Sequence, residues 1–401
     1  MKKKVLILCP NCYERTRYPI AKEMFALANG LSDFFDVTLL TQYIPVSTAE
    51  REKRKFKTVE LPAQFKTYSR YAKWMESRNP FIRRFAEQKM KGITPTISYK
   101  DLKKWARKNR NFECDVLISV SLPFYPHKMA MLLQSILSIK RWFTYIVDPY
   151  ADNQLLRSDI AGRVKEETEV FERCSEIFTV KLLYDRCVHS TIRKYREKVH
   201  FVPDTFVWDR TVYNKAVEKK YGETIAFYYM GQFIKEIRNP EPLFRIFSLL
   251  PDFCELNLYY RGCAEIVEQY SAILKERMRR NDYISDQEEY NRVVGSADVL
   301  ISIGNMIDNQ SPSKIYEYCS FGKPIIHFYS NENDIVLKNF ERYPLMKFID
   351  YHTDSEEAAR EILRFSKENV GKKVTYSEIQ EIFSDYTLDY VIKLFKEKIE
   401  E

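Results

Sequence analysis

No apolar run in this chain of 401 residues approaches the ~20 needed to cross a bilayer as a helix. The longest candidate, Met129–Ile139, is interrupted by Gln134 and Ser135. The opening MKKKVLILCP is basic, but its apolar core is too short for a signal peptide. A cytoplasmic protein is the expectation. Cysteine is sparse, with eight residues in the whole chain, which excludes a disulfide framework. Cys9-Pro-Asn-Cys12 has no second CxxC to complete a zinc site, and the chain is far longer than a thioredoxin-type domain. Neither a redox pair nor a metal centre is expected there. No glycine precedes Gly30, so the loop Cys9–Tyr18 lacks the residue type that best permits close backbone approach to a ligand.

What the chain does have is enough length for two domains and, at 45% hydrophobic, enough apolar surface for substantial cores. Val5–Leu8 reads as a first strand. Pro19 opens a helix with Ile20, Met24, Leu27 and Leu31 at helical spacing, and Val37–Leu40 is a second strand. This βαβ opening predicts a parallel sheet. Asp115–Ser119, Tyr145–Val147, Ile177–Val180 and Val199–Val202 continue it, with a helix near Tyr184–Tyr195. A second α/β series begins at Ile225–Tyr229 and runs through a helix ending near Leu250 to Leu256–Tyr260. Ser355–Asn369 reads as an amphipathic helix. Leu388, Val391, Ile392, Phe395 and Ile399 form the apolar stripe of a last one.

The most informative stretch is Ala297–Phe328. Val299–Ile303 has the length of a buried strand, Gly304–Gln310 is a polar loop, Ser311 is placed to N-cap a helix and Pro312 to occupy its first position. Gly322 is the expected left-handed cap near the helix end at Phe321, and Pro324 prevents continuation into the next strand. A helix start presents unpaired N–H groups to an anion, and Lys314 lies in that first turn. Glu317 follows Ser313 by four residues and Lys314 by three, so it shares their face one turn deeper. A carboxylate there can accept hydrogen bonds from a ribose diol. Phosphate at the helix start and ribose one turn in together describe a nucleoside diphosphate. The competing reading is an ordinary βαβ unit whose Lys and Glu are solvated.

The run SPSKIYEYCSFGKPII resembles the nucleotide-sugar motif of family 4 glycosyltransferases, which have the GT-B fold. The resemblance implies that Glu317 binds the donor ribose and that the preceding turn, Asn309, Gln310, Ser311 and Ser313, holds the diphosphate with Lys314. Where the family has a Glu facing the donor sugar, this chain has Asn309, which bears on the sugar more than on the nucleotide. Met230-Gly231-Gln232-Phe233 is similar to the family's glycine loop, and Arg238 to the cation beyond it that meets the diphosphate, with Lys235 as the alternative. The resemblance also implies a sugar-facing role for His127, at a helix start beyond a strand end, and a base site at Tyr283 and Ile284. Asp148, at another strand end, is either an acceptor-side residue or a cap. Arg15 and Arg17 either meet an anionic acceptor or are solvated.

The fold expected is α/β, two doubly wound Rossmann-like domains facing across a cleft. Residues 1–204 form the acceptor side, 205–375 the nucleotide-sugar side, and 376–401 a helix returning to the first domain. Thr205–Gly222 reads as the linker. The activity implied is transfer of a sugar from a nucleotide-sugar donor, uridine diphosphate being the commonest carrier, to a saccharide or lipid-linked acceptor, with retention. No D-x-D occurs, so cations rather than a metal must meet the leaving diphosphate: Arg238 and Lys314. No cofactor is expected beyond the nucleotide-sugar co-substrate. The alternatives are a nucleotide-sugar epimerase and a catalytically silent binding or assembly protein.

One segment stands apart in charge. Arg51–Arg110 holds nineteen Lys or Arg against five Asp or Glu, a local +14 in a chain of net +8. Phe56, Phe65, Tyr68, Tyr71, Trp74, Phe81, Phe85 and Trp105 are interleaved with those charges. Solvated helical surface, peripheral docking on an anionic membrane and nucleic-acid binding are the three readings. No nucleic-acid motif supports the last, and nucleic acid is not an expected partner.

Overall fold

A strand that is apolar along its whole length must be covered on both faces, and parallel strands flanked by helices meet that condition. The computed structural model describes residues 2–10, 12, 19–42, 52–62, 81–82, 97–121, 124–153, 159–215, 217–218, 220, 223–284, 286–307 and 310–401. It divides into one unit of Met1–Pro203 with Leu388–Glu401 and a second of Asp204–Thr387. The first contains β1 (Lys4–Leu8), β2 (Asp36–Gln42), β3 (Lys57–Leu61), β4 (Glu113–Val120), β5 (Ser138–Ile146), β6 (Glu176–Thr179) and β7 (Val199–Phe201). The second contains β8 (Ile225–Gln232), β9 (Cys254–Arg261), β10 (Met278–Asn281), β11 (Val299–Ile303), β12 (Ile325–Tyr329) and β13 (Met346–Asp350).

The sheet orders are β3-β2-β1-β4-β5-β6-β7 and β10-β9-β8-β11-β12-β13. Every pairing is parallel, with Val5 opposite Val116 in the first sheet and Val299 opposite Phe227 in the second. Each unit is therefore doubly wound, and its strand order reverses beside its first strand. In such sheets ligands gather at the carboxyl ends of the strands flanking that reversal.

The second unit shows how the sequence builds the two layers. Val299, Ile301 and Ile303 of β11 enter one core with Phe227, Leu256, Leu258 and the helix residues Leu243, Val267 and Ile362. Leu300 enters the other with Ile315, Tyr316, Val336 and Ile379. Alternate side chains thus go to opposite faces, as the two-residue repeat of a strand requires. In the first unit the final helix, Leu388–Glu400, buries Val391, Phe395 and Ile399. Phe395 stacks on Phe178 with ring centroids 3.9 Å apart, and Lys3 Nζ donates to the Ile399 carbonyl at 2.6 Å.

Several sequence expectations are corrected. β3, β10 and β13 fall in stretches that gave no strand signal. All three are edge strands, where exposed charges such as Lys57, Arg279 and Arg280 replace an apolar run. The boundaries lie at Pro203 and Leu388. The helix Tyr376–Ile382 stays with the second unit because Ile379 and Phe383 fill its core. Part of the expected linker packs into that unit as well. Trp208 N–H donates to Ser320 Oγ at 3.0 Å, and Asn214 Nδ2 to the Phe321 carbonyl at 2.9 Å. The expected helix at Tyr184–Tyr195 is instead a helix at Lys181–Arg186 and a 3₁₀ segment at Ile192–Lys198. Most of Arg51–Arg110 and the residues Arg15 and Arg17 lie outside the described residues.

Gly322 takes the expected left-handed conformation, φ +64°, and a Cβ there would meet the Val374 carbonyl oxygen at 2.1 Å. The next residue, Lys323, is wholly buried and donates from Nζ to the Ala297 carbonyl at 2.6 Å. Burial drives its ammonium pKa down to about 7, with Asp298 opposing the shift. The folded pKa lies below the ordinary 10.5, so the unfolded chain holds more protons between the two values. This group's contribution to stability is present above 10.5 and is lost as pH falls through 7. Thermal melts of Lys323→Met and wild type should therefore show the variant's relative advantage shrinking from about pH 7 to about pH 9.5. A difference that does not change with pH would exclude a depressed Lys323 pKa.

Candidate functional site

At the reversal point of the second sheet, the carboxyl ends of β8 and β11 border a cleft of about 330 Å³, including its open mouth. It is lined by Met230 and Gly231 from β8, Arg238 from the loop beyond, Ser302 and Ile303 from β11, and the segment Pro312–Lys314 with Tyr318. Four residues singled out in the sequence, Gly231, Arg238, Ser313 and Lys314, thus share one cavity. Tyr318 closes its inner side: its hydroxyl accepts from Met230 N–H at 3.0 Å and lies 3.3 Å from the Met230 carbonyl. At Gly231 a Cβ would lie 2.9 Å from the Tyr229 hydroxyl, so a side chain there must displace that ring.

The helix differs from the expectation. It spans Lys314–Cys319, with Ser313 rather than Ser311 at the cap, and the Ser313 side chain makes no capping bond. Six residues carry little dipole, so anion affinity here rests on side-chain cations more than on the helix end. Ser311 Oγ is buried and has no hydrogen-bond partner among the described residues.

Glu317 is the centre of a polar cluster. Lys314 Nζ donates to its Oε2, the Tyr290 hydroxyl lies 3.3 Å from the same oxygen, and Arg210 Nη1 and Nη2 each lie 3.5 Å from Oε1. Arg210 is buried, and its guanidinium lies 5.5 Å from the Phe321 ring centroid. Lys314 Nζ lies 4.4 Å from the Tyr290 ring centroid. Burial alone would lower the Lys314 pKa, but the charge and hydrogen bond of Glu317 outweigh it and hold it above its ordinary value. Burial, then Glu317, keeps the Tyr290 phenol protonated well above its usual range.

Arg238 donates from Nε to Asn305 Oδ1 at 2.8 Å, and Asn305 Nδ2 donates to the Gln310 carbonyl at 2.7 Å. Lys235, the alternative cation, is exposed and does not line the cleft. Gln232 is exposed at the end of β8. Tyr283 is exposed under the Arg261 guanidinium, 4.0 Å from its ring centroid, and Ile284 packs against the core beside Tyr290. Neither lines the cleft. Asn309 lies outside the described residues.

His127 sits in the first unit at the expected helix start, Tyr125–Gln134, but is fully buried. Its Nδ1 meets Ser119 Oγ at 2.7 Å and its Nε2 meets Ser121 Oγ at 2.9 Å. Burial lowers its pKa to about 3. Both ring nitrogens are engaged and the ring is neutral, so in this conformation His127 presents no group to a ligand. It ties β4 to its helix, and the sugar-facing role is not carried forward.

Arg210, Tyr290 and Asn305 were missed in the sequence. Arg210 lay in what read as linker, and Asn305 in what read as a featureless polar loop. The signal for Arg210 was weak: an Asp-Arg pair after the largely apolar TFVW.

Strand order and site together define a GT-B protein, and solved structures agree over essentially the whole chain. Anabaena HepE, solved with UDP and glucose, superposes with a TM-score of 0.62 at 8% identity, covering 99% of each chain. The lipopolysaccharide outer core galactosyltransferase WaaB gives 0.57 at 10% identity, covering 98% of each. A Listeria monocytogenes protein provisionally described as a UDP-N-acetylglucosamine 2-epimerase gives 0.56 at 12% identity, covering 100% of this chain and 96% of that one. At these identities the likeness establishes the GT-B fold. No protein-family model matches the chain, and no curated protein matches it in sequence.

The cluster alters what Glu317→Ala should do. Removing the carboxylate strands the buried Arg210 guanidinium, so the variant should lose about 3 kcal/mol of stability in urea titration. The double variant Arg210→Met/Glu317→Ala should recover part of that loss. Equal stability of Glu317→Ala and wild type would show that the Arg210–Glu317 pair contributes nothing to the fold.

Proposed function

We propose that this protein is a glycosyltransferase that binds a nucleoside diphosphate sugar in the cleft between β8 and β11 and transfers the sugar to a saccharide or lipid-linked saccharide hydroxyl. The observation that carries the proposal is the placing of two cations, Arg238 and Lys314, on that cleft at the carboxyl edge of the second sheet. HepE, of the same fold, was solved with UDP and glucose, which makes uridine diphosphate the first carrier to test. Resemblance to family 4 rests on the SPSKIYEYCSFGKPII motif.

In the proposed reaction the bond from the sugar's anomeric carbon to the diphosphate oxygen breaks, and a bond from the acceptor oxygen forms on the same face. The acceptor proton passes to a phosphate oxygen of the leaving group. Negative charge grows on the diphosphate as this happens, and cations placed on the cleft stabilise it. Arg238 supplies a planar array of N–H donors. Lys314 supplies a mobile ammonium that Glu317 holds in its charged form. Glu317, paired with Arg210, is the acceptor for a ribose diol.

The donor-site reading is tested by a thermal-shift panel of uridine, guanosine, adenosine and thymidine diphosphates. Ligand at a hundred times its dissociation constant contributes about 2.7 kcal/mol, and a rise of at least about one or two degrees is expected with uridine diphosphate. Arg238→Ala and Lys314→Ala should each lose most of it. No shift with any nucleotide, in folded protein, removes the donor site. Transfer assays with a lipid extract and mass spectrometry then test turnover. A shift without turnover marks a binding or assembly protein. Altered sugar configuration without an acceptor marks an epimerase.

We propose further that the acceptor is reached at an anionic membrane surface. The described end of the basic segment, the helix Tyr99–Lys108, buries Leu102 and Ala106 and exposes Lys100, Lys103, Lys104, Arg107 and Lys108. Among the described residues no helix is long and apolar enough to cross a membrane. Flotation with anionic vesicles should show binding that weakens with salt. Absence of flotation at low salt excludes membrane docking, and salt-sensitive nucleic-acid binding in its place would reassign the surface.

A further inference from the structure

We propose that Asn305 is a positioning residue for Arg238, fixing which edge of the guanidinium faces the leaving diphosphate. The inference rests on the donor-site reading above and adds a residue to it.

Asn305 lies two residues beyond β11 and is 4% exposed. Its two amide atoms meet partners of opposite kind. Oδ1 accepts from Arg238 Nε at 2.8 Å, and Nδ2 donates to the Gln310 carbonyl at 2.7 Å. A donor on one side and an acceptor on the other permit one orientation of the amide, since the flipped group would face oxygen to oxygen and N–H to N–H. The amide is therefore locked, and it can lock what it holds.

A guanidinium is planar, so fixing its Nε edge fixes the plane and the direction of the two terminal nitrogens. The backbone beneath it is also tied down. Arg238 N–H donates to the Ile234 carbonyl at 2.6 Å, Ile234 N–H returns a bond to the Arg238 carbonyl at 3.3 Å, and Met306 N–H donates to the Ile237 carbonyl at 2.9 Å. Among the described residues the loops after β8 and β11 are thus stitched by one backbone bond and one side-chain bond, and the side-chain bond ends on the cleft cation.

The chemistry of the partner matters as much as its place. An amide directs the arginine without neutralising it, and the charge remains available to an anion. An aspartate at this position would hold the same edge but would balance the charge that the ligand needs. Through Gln310, the same amide also restrains the chain entering Ser311–Lys314.

The test uses the full chain and uridine diphosphate as the probe, with affinity read by calorimetry for wild type, Asn305→Ala, Asn305→Asp, Arg238→Ala and the double variant Arg238→Ala/Asn305→Ala. Asn305→Ala should weaken binding about tenfold beside an intact arginine and less than about twofold in the Arg238→Ala background, because residues that act as one unit are not additive. Asn305→Asp, close to isosteric, should also weaken binding. It carries the test if the alanine variant does not fold. Equal losses from Asn305→Ala in both backgrounds would show that Asn305 only supports the loop, and would overturn the proposal. An Asp variant that binds as tightly as wild type would overturn it too. The two levels of inference separate cleanly: full affinity in Arg238→Ala removes the donor-site reading itself, whereas loss in Arg238→Ala with none in Asn305→Ala removes only the positioning role.

Discussion

The constraint on which the candidate site depends is the burial of β8 and β11 side by side with apolar side chains on both faces. Phe227 and Tyr229 of β8 enter the same layer as Val299, Ile301 and Ile303 of β11, while Met230 and Leu300 enter the opposite one. Strands so covered have no freedom to slip, because a one-residue shift would exchange the two layers. Their carboxyl ends are therefore held in register. The loops that leave them in opposite senses, toward Arg238 on one side and Asn305 on the other, must diverge and leave a gap. The cleft follows from the sheet order rather than from any residue that lines it.

Polar groups then occupy the gap under a second constraint. Arg210 is buried and needs a counter-charge, since an unpaired ion in that setting is costly. Glu317 supplies it, and the tyrosines packed around the helix supply the remaining walls. Tyr318 holds the end of β8 from beneath, and Tyr290 lies against both Glu317 and Lys314. The carboxylate that read in the sequence as a ligand for ribose is therefore also structural. This structural role is compatible with the proposed one: Arg210 approaches Oε1, whereas Lys314 and Tyr290 approach Oε2, the oxygen whose partners include a side chain on a long, flexible stem.

How much of this was legible in the sequence depended on whether a residue's task is announced by its neighbours. Central strands were legible because burial on both faces demands an unbroken apolar run. The edge strands β3, β10 and β13 were not, because an edge tolerates charge. Gly322 was legible because a left-handed cap against the Val374 carbonyl leaves room for no other residue type. The helix start was misplaced by two residues. Ser311-Pro312 has the composition of a cap, but the backbone does not turn helical until Ser313, and no local rule distinguishes the two serines. His127 was located correctly along the chain, yet its burial depends on Ser119 and Ser121 closing over both ring nitrogens, which no spacing reveals. Arg210 and Asn305 were invisible for a related reason: each acquires its meaning from a residue far along the chain, Glu317 in one case and Arg238 in the other.

The charges at the cleft can be weighed against one another in a way that bears on what it accepts. Glu317 is approached by two cations, Arg210 from a buried position and Lys314 from the cleft. One of them suffices to balance it. The buried guanidinium is the less able to leave, since it would lose its counter-ion without gaining water, whereas the half-exposed ammonium can turn toward solvent or ligand. Arg238 meets a neutral amide in Asn305, so its charge is not cancelled there. The cleft wall thus carries about two positive charges in excess of its carboxylate. The diphosphate bridge of a nucleotide-sugar brings two negative charges and acceptor oxygens only, which is the complement of that wall. A dinucleotide's diphosphate would match it in charge as well. In the proposed donor site Glu317, one turn deeper than Lys314, is the group that would place a ribose next to the phosphates, and Arg210 leaves that carboxylate a counter-charge when Lys314 turns away.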